Sequence, residues 1–543
     1  MSKRPAAHWQ TGIYVVLLAA VLAAAAYLRL WELTPPAAGV LYAPDTDEGA
    51  YAFSAQLFLQ GQLPYRDFFA TLPPGGLYLM TAVLGLLYRP WGSLEGFMAL
   101  RYATVTYGLL TILLAYAIGR RLGGRPAGLL AAMVLAADGI VIGQDRRAML
   151  ETPMNLFSAL AVWAYLEAVL REKASRRWLV LAGAASAAAV MIKSPGAIMP
   201  ILLVVMSIIR RRWKDLPPLV GTGGIAGLLT AGPFLVLCPE QFLKQVYVFQ
   251  MVRPPDGVIA MSARLREIWG YPYSWLTLRL WGLGLPIALW QSWRRREFAG
   301  WLAVVLWAGG VMALIIASRS YWGTYYPQLA VPLAVLAGGT LAGVGERLRE
   351  REGRLLAATG PLALALFVGW GIFFGHFAVQ FNAARILLRF HKPAFAEVAR
   401  YLSKHAAPAD AVLATDPLYG MLASRPLAKA GGTPYLADSY GGMLYQNMGL
   451  ADMGWKDVLE LRRRLAKDPH GNGDLTTSIF HLPPAQEAVL KTFAEARFVV
   501  IDRRAERQWA PATLAYIRAH AVPILTIDDV TLYQKTNPVA TGG

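Results

Sequence analysis

The chain has little charge and a single cysteine. Of its 543 residues, 16% are Asp, Glu, Lys or Arg and 56% are hydrophobic, a balance that excludes a disordered chain and favours a protein that crosses a membrane many times. Cys238 has no second cysteine to pair with, so an intramolecular disulfide is excluded. The sequence also lacks an internal repeat, an H-E-x-x-H motif and a His/Cys cluster, and nothing in it indicates a tightly held metal.

The formal net charge of +18 comes largely from basic clusters between apolar segments. No basic face with a folded reader motif accompanies it, so we expect no nucleic-acid partner. The fold class predicted is mainly α, a polytopic membrane helical bundle of about eleven spans, near 11–30, 98–119, 126–143, 153–170, 178–193, 196–209, 217–238, 272–290, 299–317, 325–343 and 355–378. With the N-terminus inside, the Lys/Arg clusters all fall on the cytoplasmic side, as the positive-inside rule expects. There are five of them, at 120–125, 171–177, 210–214, 294–296 and 347–354.

This topology holds only if the apolar segment 74–90 does not cross the bilayer. We expect that segment and the preceding 49–60 to form helices in the outer interface, where the aromatic rings of Tyr78, Tyr88 and Trp91 suit the boundary. The alternative is that 74–90 is a genuine span and another segment is misjudged.

After the last predicted span the composition changes. Strand-like runs such as AVLATD and RFVVIDRR alternate with amphipathic helical patterns such as PAFAEVARYLSKHA. We therefore predict two domains, a transmembrane domain over 1–378 and a soluble α/β domain over 379–543. The odd number of spans places the second domain outside the cytoplasm.

Charged residues stand at the predicted outer ends of several spans. They are Asp45, Asp47 and Glu48 after the first span, Asp145, Arg146, Arg147 and Glu151 in GIVIGQDRRAMLETP, Lys193 in AAAVMIKSPGAIMP, and Arg253 in YVFQMVRPPDGV. Ionisable groups at membrane depth are costly enough to need a partner or a function. Acids beside cations at one membrane surface suit an anionic lipid headgroup and a proton-transfer step.

The acids and the lysine also have structural explanations. Asp47 or Glu48, taken alone, is at least as well explained as a cap of the helix 49–60, because acids are favoured at helix N-termini. A lysine at a span end, such as Lys193, commonly snorkels to the interface.

The arginines have structural explanations as well. Arg146 and Arg147 could pair with Asp145 and Glu151 and only hold their loop together, and Arg253 could be an ordinary loop cation. The functional hypothesis rests on the shared side of the membrane, since each signal by itself is weak.

The stretch DEGAYAFSAQLFLQGQLPYRDFFATLPPGGLYL resembles the first external loop of the GT-C membrane glycosyltransferases, in the branch of protein O-mannosyltransferases and bacterial aminoarabinose transferases. Those loops begin with an acidic pair and an aromatic helix, and then carry a Pro-Pro pair. RRAMLETPMNLF resembles the second acidic site of that family, MIKSPGAIMPIL its Lys-Gly-Pro segment, and SYWGTYYPQLAVPLAVLAG its late aromatic span. The resemblance covers roughly residues 10–380, in the same order.

The resemblance implies a glycosyltransferase of the bacterial-type plasma membrane. It would move a sugar from a polyprenyl-phosphate donor to a lipid, glycan or protein acceptor on the outer face. By the same resemblance, Asp47 matches the general base and Glu48 its pair partner. Glu151 stands where the family usually has aspartate, and Lys193 matches the lysine that contacts the lipid phosphate.

Two positions depart from the family. Leu72 stands where a lysine often precedes the double proline, and Thr324 stands at a position that is usually basic or histidine. These departures put any substrate borrowed from the lipid A branch in doubt.

A sugar phosphate already carries a good leaving group, so the reaction chiefly needs a base for the acceptor hydroxyl. A carboxylate within hydrogen-bond reach contributes typically about 10²–10⁴-fold, and we expect Asp47 in that role, with direct displacement that inverts the anomeric centre. Lys193, Arg146 and Arg147, and more weakly Arg253, are expected to stabilise the departing phosphate.

No cofactor is certain, and a divalent cation that bridges Asp47 and Glu151 to the phosphate stays open. The main rival function is a transporter or flippase of a lipid-linked substrate. Transporters commonly show repeated halves around a midplane site, whereas this chain shows no repeat and carries its ionisable residues at the predicted outer surface. A membrane-anchored binding or sensory protein would not need acids and cations gathered at several loops.

Overall fold

Helices form most of this protein. The computed structural model describes residues 5–31, 33, 46–87, 94–170, 175–253, 260–270, 298–318, 321–346, 393–429, 438–467 and 481–536. Its helices are α1 (Pro5–Leu30), α2 (Thr46–Leu59), α3 (Pro74–Leu87), α4 (Leu94–Ala136), α5 (Gly139–Asp145), α6 (Glu151–Val169), α7 (Arg176–Ile192), α8 (Ile198–Ile209), α9 (Leu216–Leu237), α10 (Pro239–Leu243), α11 (Phe249–Val252), α12 (Met261–Gly270), α13 (Phe298–Ala317), α14 (Pro327–Glu346), α15 (Pro393–His405), α16 (Leu418–Leu422), α17 (Ser439–Asn447), α18 (Trp455–Lys467), α19 (Pro483–Glu495), α20 (Arg503–Gln508) and α21 (Pro511–Ala519). The strands are β1 (Val412–Leu413), β2 (Phe498–Ile501), β3 (Ala521–Ile527) and β4 (Val530–Lys535).

Five helical segments in the described part of the chain are long and apolar enough to cross a membrane. They are Gly12–Leu30, Glu95–Ala136, Trp213–Leu237, Phe298–Ala317 and Pro327–Glu346. The mainly helical class with a small sheet is confirmed, but the expected count of about eleven spans is not. Two of the expected spans, 272–290 and 355–378, lie outside the described residues, as does the predicted domain boundary at 378/379.

The two helices predicted over 49–60 and 74–90 are present as α2 and α3, and their position in the outer interface stays a prediction. α3 begins at Pro74, where the fixed φ of proline and its missing N–H suit the first turn of a helix. Tyr88 and Trp91, the aromatic residues expected after it, lie outside the described residues.

The break expected between the second and third spans falls inside α4. Gly123 and Gly124 leave helical geometry there, with φ of −131° and +81° respectively, and Pro126 follows. A positive φ is readily adopted only by glycine, so the Gly-Gly-Arg-Pro sequence turns the chain between two helical runs.

The chain forms two compact units. The first consists of Met1–Trp31, Thr104–Thr230 and Gly257–Ala383, and the second of Glu32–Ala103, Ala231–Asp256 and Ala384–Gly543. In the first unit α14 crosses α4 at very short range, because a Cβ on Gly338 would lie 2.5 Å from the carbonyl oxygen of Ala127. The neighbouring Gly339 lies against the ring of the buried Trp301.

The second unit joins the segment after α2 to the C-terminal part of the chain. Phe69 packs edge-to-face on Phe249, with 5.7 Å between ring centroids, and lies 5.1 Å from the ring of Tyr445. These rings belong to an apolar core that also takes in β2 and the helices around it. Aromatic pairs of this kind add to the stabilisation from buried area.

A four-stranded sheet with the order β1-β2-β4-β3 lies in the C-terminal part of the second unit. β1 runs parallel to β2, and β4 is antiparallel to both of its neighbours. The strands and the helix predicted in this part are confirmed, because β1 falls in AVLATD, β2 in RFVVIDRR and α15 in PAFAEVARYLSKHA.

The close crossing in the first unit generates a prediction. Gly338→Ala should lower the Tm of the purified protein by several degrees, because overpacking costs typically about 1–3 kcal/mol. The matched control is Gly345→Ala in the same helix, where a Cβ meets nothing within 4 Å. Alanine is the better helix former, so the control should leave Tm unchanged or raise it slightly. Equal Tm values for the two variants would contradict the crossing.

Candidate active site

Two neighbouring acids open α2, and the fold places them in opposite environments. Both stand in the first turn, where exposed backbone N–H groups favour carboxylates. Glu48 is fully buried, whereas Asp47 is exposed. The hydroxyl of Tyr51, one turn further on, lies 3.5 Å from Oδ2 of Asp47. Of the two acids, only Asp47 is therefore accessible at the surface.

Glu48 is held by a bidentate ion pair with Arg101 of α4. Nε and Nη2 of the arginine each donate a hydrogen bond of 2.8 Å to one oxygen of the carboxylate. Both side chains are fully buried, and the guanidinium lies 4.9 Å from the centroid of the Phe97 ring. Paired donors in this fork geometry fix direction as well as distance, so the pair sets the orientation of the first turn of α2.

Buried aspartates lie in the C-terminal part of the same unit. Asp416 follows β1, and burial raises its pKa to about 7 although the backbone N–H of Leu418 and the charge of Arg504 act in the opposite direction. Burial also raises the pKa of Asp438, which caps α17 by accepting the N–H of Gly441 at 2.9 Å. Arg253, one of the expected phosphate cations, partly offsets that rise in the pKa of Asp438.

In the first unit, Glu151 begins α6 and is fully buried. One of its oxygens accepts a hydrogen bond from Nζ of Lys193, and the other accepts one of 3.3 Å from the amide of Gln144. Lys193 thus points to a buried carboxylate, with 12% of its side chain exposed, and does not snorkel. The structure brings together the acid and the lysine of the two segments that resemble the family.

The backbone around Lys193 depends on a glycine. Lys193 ends α7 in an extended conformation, and the next four residues form a 3-10 turn with Pro195 near its start. A Cβ on Gly196 would lie 2.3 Å from the carbonyl group of Ala189, so only glycine allows this approach. The ammonium group lies 5.9 Å from the centroid of the Tyr325 ring, within cation–π range.

The remaining charges of GIVIGQDRRAMLETP make other contacts. Asp145 accepts a hydrogen bond of 2.8 Å from Nε of Arg29 and one of 2.9 Å from Thr152. Arg146 is fully buried and donates to the carbonyl oxygens of Leu28 and Arg29 at the end of α1. A cation at these last carbonyls stabilises a helix C-terminus, which favours a structural role for Arg146.

The expected site residues therefore form two groups. One, in the second unit, contains Asp47, Glu48 and Arg253; the other, in the first unit, contains Arg146, Arg147, Glu151 and Lys193. Asp45 lies outside the described residues. Within the described part of the chain there is no group of three or more His, Cys, Asp or Glu side chains placed to hold a metal ion, and the divalent cation stays a prediction.

Sequence reasoning missed the partners that hold these groups. Arg101 stands in a predicted apolar span, and Gln144 is a polar residue near the end of another. A lone arginine in an apolar helix is itself a signal of a buried partner, and it would have pointed to Arg101. The turn that contains Asp416 reads as an ordinary strand-to-helix turn, and no local pattern marks its aspartate.

The chain is similar to known membrane glycosyltransferases. The family model described as "Dolichyl-phosphate-mannose-protein mannosyltransferase" matches residues 93–237. The chain is 28% identical over 393 residues to an undecaprenyl phosphate-alpha-4-amino-4-deoxy-L-arabinose arabinosyl transferase of Pseudomonas aeruginosa (strain UCBPP-PA14), an alignment that covers 68% of this chain and 67% of the relative. It is 26% identical to an Edwardsiella ictaluri transferase of the same name, over 51% of each chain.

Solved structures show the same fold. ArnT from Cupriavidus metallidurans bound to undecaprenyl phosphate matches with a TM-score of 0.62 and 17% identity, over 98% of this chain and all of that one. The archaeal oligosaccharyltransferase AglB from Archaeoglobus fulgidus matches with a TM-score of 0.57 and 13% identity, over 98% of this chain and 75% of that one. The expected resemblance to the GT-C membrane glycosyltransferases and the expected enzyme class are confirmed.

The buried pair in the second unit generates a prediction about stability. Arg101→Met should destabilise the protein by about 3–5 kcal/mol, because it leaves the Glu48 carboxylate buried without its partner. The double variant Glu48→Leu/Arg101→Met should recover much of that loss, since replacing both charges with apolar groups is often nearly neutral. Thermal unfolding of the purified variants measures both effects, and a double variant no more stable than Arg101→Met would contradict the pairing.

Proposed function

We propose that this chain, an integral membrane glycosyltransferase of the GT-C type, transfers a sugar from a polyprenyl-phosphate donor to an acceptor hydroxyl on the outer face of the membrane. The observation that carries the proposal is the pair of acids at the start of α2. Asp47 is exposed while its neighbour Glu48 is locked to Arg101. The Glu48 ion pair fixes the backbone of the first turn, and that backbone in turn orients the exposed carboxylate of Asp47.

The chemistry assigned to Asp47 is general-base catalysis. The acceptor hydroxyl gives its proton to the carboxylate as its oxygen forms a bond to the anomeric carbon of the sugar. The bond between that carbon and the phosphate oxygen breaks, and the lipid phosphate leaves with the electron pair. A single displacement of this kind inverts the anomeric centre and needs no covalent intermediate.

The departing phosphate gains negative charge, and Lys193 is the cation that we assign to it. Its ammonium group is oriented by Glu151 and lies beside the Tyr325 ring, so it needs little reorganisation when charge develops. Arg147 and Arg253, both partly buried, are further candidates. Arg146 contributes through the end of α1, where its hydrogen bonds hold the segment that leads to Glu151.

The identity of the sugar is a separate question. The Pseudomonas aeruginosa relatives act, by their names, on undecaprenyl phosphate-alpha-4-amino-4-deoxy-L-arabinose, and the chain spans about two thirds of their length. Leu72 and Thr324 replace residues that are commonly basic in that branch. We therefore propose a polyprenyl-phosphate donor whose sugar has to be found by testing a panel.

The proposed activity is tested with the purified full-length chain and radiolabelled donors. The panel contains undecaprenyl phosphate-4-amino-4-deoxy-L-arabinose, dolichyl-phosphate-mannose and polyprenyl-phosphate hexoses, offered with lipid, glycan and peptide acceptors. Asp47→Asn should lower kcat by about 10²–10⁴-fold, because it removes the base but keeps the shape. Asp452→Asn, at an exposed position of the second unit, is the matched control and should keep native kcat.

Full activity of Asp47→Asn would remove that residue from the role of base. Movement of labelled lipid across vesicles without transfer or hydrolysis of the sugar would instead support a flippase.

The role of Lys193 is tested separately. Lys193→Met should reduce kcat/KM for the donor by about 10²-fold, the usual cost of a lost transition-state donor, whereas Lys214→Met at an exposed position should not. Lys193→Met also leaves the buried Glu151 carboxylate without its lysine and should lower Tm. The double variant Glu151→Gln/Lys193→Met removes that carboxylate charge and should restore Tm without restoring activity. Recovery of kcat/KM in the double variant would show that the lysine acts only as a partner of Glu151.

A further inference from the structure

The C-terminal part of the chain touches the first turn of α2. The hydroxyl of Thr46, the first residue of that helix, donates a hydrogen bond to the carboxylate of Asp416. Asp416 stands in the short turn between β1 and α16. Both residues belong to the second unit, so this contact joins the residue before Asp47 to the sheet-bearing region of the same compact body.

The approach of the two segments is as close as a glycine permits. Gly49 lies on the same face of α2 as Thr46, three residues on. A Cβ at Gly49 would lie 2.7 Å from Oδ1 of Asp416 and 2.8 Å from Cγ of Leu418, distances that real Cβ atoms do not adopt. Glycine weakens a helix relative to alanine, so its presence here is explained by the contact and not by the helix.

The turn that receives α2 is itself fixed from several sides. Oδ1 of Asp416 accepts the backbone N–H of Leu418 at 3.0 Å. Thr415 donates a hydrogen bond of 3.1 Å to Asp502, and the same carboxylate oxygen accepts the N–H of Ala505 at 2.8 Å. Asp502 follows β2, the parallel neighbour of β1. The turn is therefore fixed to two adjacent strands, and α2 packs against a surface that is part of the sheet region.

The side chains of three consecutive residues of α2 therefore lie in three different environments. Thr46 is bound by Asp416, Glu48 is bound by Arg101, and Asp47 between them is exposed. The backbone on both sides of Asp47 is held from two different segments, 94–103 and 412–418. The direction of the Asp47 carboxylate is therefore set by a backbone that is fixed on both sides.

We propose that the turn formed by Thr415, Asp416, Pro417 and Leu418 positions the first turn of α2, so that the C-terminal region sets the place of the Asp47 carboxylate. Asp416 and Gly49 are positioning residues, and neither touches the reacting atoms. The inference rests on the proposed function of Asp47. A displacement of about 1 Å at a reacting group can cost 10²-fold in rate, which is why a region far along the chain would control turnover.

The experiment uses the full-length protein and three variants that break the contact: Gly49→Ala, Thr46→Val and Asp416→Ala. Each has a matched control. Gly232→Ala changes a helical glycine of the same unit where a Cβ meets nothing within 4 Å. Thr46→Ser keeps the hydroxyl, and Asp416→Asn keeps the shape and the mixed donor and acceptor character of a neutral carboxyl, with which a hydroxyl can still form a hydrogen bond. The donor is undecaprenyl phosphate-4-amino-4-deoxy-L-arabinose, or whichever donor of the panel the native chain uses.

We expect each of the three variants to lower kcat by about tenfold or more with the donor KM within about twofold of native, because the base is displaced but the donor still binds. The three controls should stay within about twofold of native in both constants. A loss caused by general misfolding would not be rescued by Thr46→Ser and Asp416→Asn, and it would lower Tm together with kcat.

Hydrogen exchange supplies a readout that does not depend on activity. Backbone amides of the first two turns of α2 should exchange faster in the three variants than in the native chain and the controls, while amides of α6 and α7 keep native rates. Native exchange in α2, or native kcat in Gly49→Ala, would overturn the proposed positioning. If the native chain transfers no sugar from any donor, the proposed function fails, and the exchange rates still decide the positioning.

Discussion

The carboxylate of Glu48 and the guanidinium of Arg101 form a fully buried ion pair. The orientation of the first turn of α2 depends on that pair. Burying either charge alone would cost several kcal/mol, so the two segments that carry them must come together for this unit to fold. The fork geometry, with two hydrogen bonds of 2.8 Å, leaves little rotational freedom. The carboxylate of the adjacent Asp47 therefore has a defined orientation and is still exposed. The carboxylate proposed as the base and a structural carboxylate thus occupy consecutive positions in the sequence.

The first unit uses its charges in the same way. Lys193 and Glu151 form one buried pair, Arg29 and Asp145 another. In a chain with only 16% charged residues, pairs of this kind orient side chains more than they stabilise the fold, because the cost of removing charge from water offsets much of the attraction. An oriented ammonium group beside an aromatic ring is well suited to meet an anion. The proposed phosphate role of Lys193 follows from that arrangement.

The C-terminal region packs against the helix that carries Asp47 and the segment that follows that helix. Its apolar core takes in Phe69 from the segment after α2, and its β1–α16 turn receives Thr46 and Gly49. The burial that raises the pKa of Asp416 to about 7 is a consequence of this close packing, since a carboxylate removed from water holds its proton more tightly. The same packing gives the helix that carries Asp47 two independent supports.

Hydrophobic content was enough to predict a mainly helical membrane protein, because long apolar segments and strand-like alternation are local properties of the chain. The GT-C type and the enzyme class were implied by the resemblance of several segments, in order, to a known family. The helices at α2 and α3, the break at Gly123 and Gly124, and the strands β1 and β2 were predictable from the same local properties. Which acid is exposed was not, since Asp47 and Glu48 are equivalent in any local pattern. Tertiary structure alone decided their different environments, because it brings Arg101 to Glu48 and Asp416 to Thr46, the residue before Asp47. Ion pairs and close helix contacts of this kind depend on residues far apart in the chain.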